Sequence, residues 1–104
     1  MNIDPKVIDL KDTAEDILIW HHQTETKSFN PAFVRKIWKL CIKIIEGSTW
    51  KVSDKQVSAI KNIHKSWKVG KWLGQCSPDE VETMRSDYME ADEKGDFKEY
   101  DEDD

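Results

Sequence analysis

The chain is short of what most enzymes and secreted domains are built on. It holds two cysteines, Cys41 and Cys76, in unrelated contexts. Free thiols in a reducing compartment are expected rather than a disulfide framework. Glycine occurs four times and proline three, and neither a glycine-rich phosphate loop nor a nucleophile elbow is present. No apolar run approaches the roughly 18 residues of a membrane span, and the opening MNIDPKVIDL lacks the order of a signal peptide. The expectation is a soluble, cytoplasmic chain without a membrane partner. Strand alternation, hairpin signals and internal repeats are also missing.

Metal and nucleophile chemistry are poorly supplied. The soft ligands are His21, His22, His64, Cys41 and Cys76. A zinc site wants two cysteines close in sequence, or histidines four apart on one helical face. Neither spacing occurs, and adjacent histidines point to different sides of a helix. Cys41 falls among apolar residues, where cysteine behaves as a small hydrophobe. Cys76 precedes acids, which do not lower a thiol pKa. The paired acids near the C-terminus have nothing to desolvate them. No catalytic residue, metal or cofactor is expected.

What is present is charge, sorted along the chain. Residues 1–26 carry six acids and two lysines, net −4. Residues 27–78 carry eleven basic residues against Glu46 and Asp54, net +9. Residues 79–104 carry thirteen acids against Arg85, Lys94 and Lys98, net −10. This layout is a basic body with an acidic tail. With 38% hydrophobic and 36% charged residues, the chain is lean for a globular domain, and part of it should stay outside the core.

Periodicity predicts an all-α fold, a small bundle of three to four helices. The first helix is expected over about 5–23, with Asp4 as cap and Pro5 at its first position. DTAE at 12–15 is a possible later start. A second helix over about 31–46 has Asn30 as cap, Gly47 as C-terminal stop and a stripe of Phe33, Val34, Ile37, Leu40, Cys41, Ile44 and Ile45. The third, over about 54–69, opens with the capping box Ser53–Gln56 and stops at Gly70. Its apolar side is Val57, Ile60, Ile63, His64 and Trp67. A fourth is possible over 78–92. One domain over 1–92 would then precede a disordered acidic tail, 93–104.

The candidate site is the basic side. Arg35, Lys36, Lys39 and Lys43 fall opposite the stripe of the second helix, and Lys61, Lys65 and Lys68 line the third. Lys51, Lys55 and Lys71 extend the set. Like charges three or four apart repel, so Lys39–Lys43 and Lys61–Lys65 invite an anion: nucleic-acid phosphate, an acidic protein or the chain's own tail. The plain alternative is a solvated face offset by that tail. Of the five tryptophans, Trp20, Trp50 and Trp67 suit the core, Trp50 plugging the gap between helices. Trp38 edges the core or a partner interface. Trp72 either packs back on the bundle or stacks on a base. Phe97 and Tyr100 are the tail's candidate anchors for a partner. A helix-turn-helix is a further option, with Lys55, Gln56, Ser58, Lys61, Asn62 and Lys65 facing a groove.

The stretch FVRKIWKLCIKIIEGSTWKVSDKQVSAIKNIHKSWK, Phe33 to Lys68, resembles a helical hairpin of phage and mobile-element DNA-processing accessory proteins. The shared features are SDKQ at 53–56, the turn before it, and Val57, Ile60 and Ile63. The resemblance implies a phage-type accessory protein and carries over no catalytic residue. The expected function is non-enzymatic: a basic helical face binding phosphate backbone with little sequence preference, modulated by the acidic tail. The alternative is a phage- or virus-type regulator that docks on a host replication or transcription protein. The apolar faces would also permit a homo-oligomer.

Overall fold

The computed structural model describes residues 4–26 and 31–94. Five helices follow in order: α1 (Pro5–Thr24), α2 (Ala32–Ile45), α3 (Asp54–Ser66), α4 (Val69–Gly74) and α5 (Pro78–Glu93). The all-α class holds. None of these helices is long and apolar enough to cross a membrane.

α1 is the hub and packs against each of the other four helices. It starts where Asp4 accepts a hydrogen bond from the Lys6 amide at 2.9 Å and runs unbroken through DTAE, so the later start is not used. Its second half is buried on several sides at once, through Ala14, Glu15, Ile17, Leu18, Ile19 and Trp20. A helix enclosed on several sides needs no single apolar stripe.

α2 buries Val34, Arg35, Ile37, Trp38 and Cys41. Its buried face is turned toward Arg35 and Trp38 and away from Phe33, which is 43% exposed. The expected stripe is thus displaced, because α5 covers the Arg35 side through Tyr88 and Asp92. Pro31 takes the N-cap position with no side-chain bond; Asn30 lies outside the described residues. Gly47 adopts φ +118°, a conformation that favours glycine.

α3 opens as expected. Gln56 donates its amide to Ser53 Oγ at 3.1 Å, and Ser53 donates its amide to Gln56 Oε1 at 2.8 Å. Its end differs. The helix closes at Ser66, Lys68 enters the left-handed region at φ 53°, and α4 begins at Val69. Gly70 lies inside α4 and does not stop a helix. The break lets Val69 turn into the core, where it is fully buried.

α5 is capped by a second reciprocal pair, Ser77 with Glu80, with Pro78 in the first turn. Tyr88 and Ala91 are buried and Met84 and Met89 pack on the core. The N-terminal half of the acid-rich region is therefore docked on the bundle. Phe97, Tyr100 and the rest of the expected tail beyond Lys94 lie outside the described residues.

Candidate basic-face interface

The outer face of α3 is nearly free of acid. Asp54, Lys55, Ser58, Lys61, Asn62, Lys65 and Ser66 are exposed. At 100° per residue they fall within one arc of the helix. Asp54 is the sole carboxylate on that arc and sits in the first turn, where the helix dipole favours it. Lys68 and Lys71 continue the exposed basic surface through the junction into α4. Among the described residues, Lys51, Lys55, Lys65, Lys68 and Lys71 form no ion pair.

The basic side of α2 is divided. Lys36 and Lys43 are exposed. Arg35 is only 2% exposed and must be removed from the candidate binding residues. It donates to Tyr88 Oη at 3.0 Å and to Asp92 Oδ1. Lys39 Nζ stands 3.8 Å from the same carboxylate. Lys61 stands 3.4 Å from Asp9 of α1. Within each like-charged pair, one lysine thus has an acidic neighbour, which relieves part of the repulsion. α2 and α3 each pack on α1, with little direct contact between them. They do not form the mutually packed pair of a helix-turn-helix, and that option is dropped.

The tryptophans are rearranged relative to expectation. Trp38 is 1% exposed and its Nε1–H donates to Glu15 at 3.2 Å, so it is core rather than partner-binding. Trp50 does not plug the bundle: it is 54% exposed, and Lys43 Nζ lies 4.9 Å from its ring centroid, within cation–π range. Trp67 is 39% exposed and leans on buried Trp20, centroids 5.3 Å apart. Trp72 packs back on the core and is half-buried.

Beneath this surface runs a polar line that the sequence did not disclose. Glu15, almost fully buried, faces Lys11 Nζ at 3.3 Å and Arg85 Nε at 2.8 Å. The Arg85 contact is a close charge pair without hydrogen-bond alignment. Tyr88 packs edge-on against Trp38 and His22. Asp16 lies 3.5 Å from His64 Nε2 and 4.0 Å from Arg85. Burial raises the Asp16 pKa above its ordinary 3.8, against the lowering effect of His64 and Arg85. The His64 ring in turn rests against Gly70, where an added Cβ would stand 3.0 Å from its Cε1. Glu15 in the apolar run AEDILIW was the available signal for this network. Arg35 gave none, because one basic residue beside three others reads as surface.

Neither thiol is placed for catalysis. Burial pushes Cys41 up to about 11, and Cys76 Sγ faces the Trp72 carbonyl at 3.7 Å. Comparison with family models, with curated proteins and with solved structures finds no significant match for the chain.

Proposed function

We propose that the protein is a non-enzymatic nucleic-acid-associated accessory protein that binds phosphate backbone with little sequence preference. The observation that carries this is the outer face of α3 and its continuation into α4. There Lys55, Lys61, Lys65, Lys68 and Lys71 are exposed, and Asp54 is the one acid on the α3 arc. Lys36, Lys43 and Lys51 can add contacts from the neighbouring surface. Mixed charge is the ordinary composition of a solvated helix face, and a face of one sign is suited to a polyanion. The acidic C-terminal region, tethered to this surface, competes with the ligand and sharpens its salt dependence.

Fluorescence anisotropy with labelled oligonucleotides at low salt tests this. Binding that weakens linearly in log–log form with added salt supports it, as does tighter binding by a chain ending after Lys94. Absence of binding by both chains overturns it. A second reading is a regulator that docks on a basic host replication protein through its acids. The exposed Glu82, Asp87, Glu90 and Glu93 of α5 favour it, and their charge reversal would abolish capture of such a partner.

A further inference from the structure

α2 has a second face that the core leaves uncovered. At roughly 100° per residue, Lys39, Lys43, Lys36, Leu40 and Phe33 fall in that order within an arc of about 120°. Phe33 is 43% exposed, Leu40 is half-buried, and Lys36 and Lys43 are exposed. No acid stands anywhere in α2. Trp50, 54% exposed, joins this face, because Lys43 Nζ lies 4.9 Å from its ring centroid. Rings and lysines are thus interleaved here. The exposed arc of α3 offers lysine, serine and asparagine but no apolar side chain.

The chain's own acidic segment leaves the fold beside this face. Asp92, in the last turn of α5, is bonded to Arg35 and stands 3.8 Å from Lys39 Nζ, at the edge of the arc. Residues 95–104, GDFKEYDEDD, carry six acids against Lys98, and two aromatic residues, Phe97 and Tyr100. The five residues from Asp92 to Phe97 span at most about 17 Å, and the eight to Tyr100 about 27 Å. α2 has 14 residues and is therefore about 21 Å long. From Asp92, near the middle of α2, both rings can reach either end of the face.

We propose that residues 95–104 dock on this α2 face. Phe97 and Tyr100 lie against Phe33, Leu40 and Trp50, and the neighbouring acids pair with Lys36 and Lys43. Composition and tether decide the occupant. The segment supplies both things the face lacks, negative charge and apolar cover, whereas α3 could use only the first. Tethering gives the segment an effective concentration on the order of millimolar. A contact that would be weak between separate molecules is therefore filled within one. Docking on α2 does not depend on the nucleic-acid reading, and it adds to that reading: the segment competes with a polyanion for Lys36 and Lys43 rather than for the α3 lysines.

The test is zero-length cross-linking of carboxylates to lysines with a carbodiimide, on the dilute full chain without nucleic acid. Peptide mapping of the cross-linked monomer should find the acids of residues 99–104 joined to Lys36 or Lys43 several-fold more often than to Lys55, Lys61 or Lys65. The double variant Phe97→Ala with Tyr100→Ala should lose most of these links while its circular dichroism spectrum stays unchanged. Trp50→Ala, which removes a ring largely in solvent, should lose them in part. Equal linkage to α2 and α3, or yields unchanged in the aromatic variants, means attraction by charge alone and overturns the proposal. Links confined to cross-linked dimers assign the face to a second copy and overturn it too, as does an absence of links. Failure here leaves the nucleic-acid reading untouched, since that reading is decided separately by oligonucleotide titration of the full chain.

Discussion

Arg35 of α2 donates to Asp92 of α5 from a side chain that is 2% exposed. A second bridge runs the other way, from Arg85 of α5 to Glu15 of α1. The acid-rich helix is therefore held by one arginine it receives and one it gives. Removing one member of a buried pair strands the other, which costs more than the pair's net worth. Asp92→Asn should destabilise the fold by roughly 2 kcal/mol, below the fully buried figure because Asp92 is partly exposed. The double change Arg35→Met with Asp92→Leu should cost less than Asp92→Asn alone. Urea denaturation of the three variants measures this, and a larger loss for the double would reject the account.

The Asp16 carboxyl binds its proton more tightly in the folded chain than in the unfolded one, because burial outweighs the pull of His64 and Arg85. A folded pKa above the unfolded value means that Asp16 contributes most to stability below 3.8 and loses this as pH rises through its folded pKa. The stability of the natural protein relative to Asp16→Asn should therefore rise as the solution is acidified from neutrality toward 3.8. Paired thermal melts of the two proteins across that range give the sign, and a difference that falls on acidification contradicts it.

Gly70 and His64 should be energetically coupled. Alanine in a helix interior is ordinarily better than glycine by roughly 1 kcal/mol. At Gly70 the new Cβ would stand 3.0 Å from His64 Cε1, and Asp16 lies 3.5 Å from Nε2 of the same ring. Gly70→Ala is expected to give no gain by itself, and to stabilise once His64→Ala has cleared the space. A double-mutant cycle in urea reads the coupling; additive effects would show that the ring moves without cost.

The two thiols should differ in reactivity. Cys41 is fully buried with its pKa pushed up to about 11, while Cys76 is half-exposed. Iodoacetamide at neutral pH should modify Cys76 alone in the folded protein and both residues in urea, as read by intact mass.

The sequence signalled helices wherever a local device specified them. Ser53 with Gln56, Ser77, and Asp4 with Pro5 all cap helices where expected. It failed where burial depends on a distant element. Arg35 looked like surface until α5 supplied Tyr88 and Asp92, more than fifty residues away. Trp50 looked like core because tryptophan is usually buried, and only the separate packing of α2 and α3 on α1 shows that the connection has no gap to fill. The break at Lys68 was hidden because Gly70, two residues on, offered a more conventional stop.

Lys68 holds a left-handed conformation, φ 53° and ψ 40°, at the junction of α3 and α4. An ordinary side chain there costs on the order of 1 kcal/mol relative to glycine. Glycine at position 68 should therefore raise the unfolding free energy by up to about 1 kcal/mol, since its native φ and ψ need no adjustment. The same change removes one charge beside Trp67. If Lys68 contacts a phosphate, the slope of log affinity against log salt should become shallower by roughly 0.7 for a single strand. A Lys68→Gly variant that is more stable and binds less tightly would show that the strain is kept for the ligand's sake. A variant that is more stable and binds equally well would remove Lys68 from the interface and leave the left-handed lysine as a local cost of turning Val69 into the core.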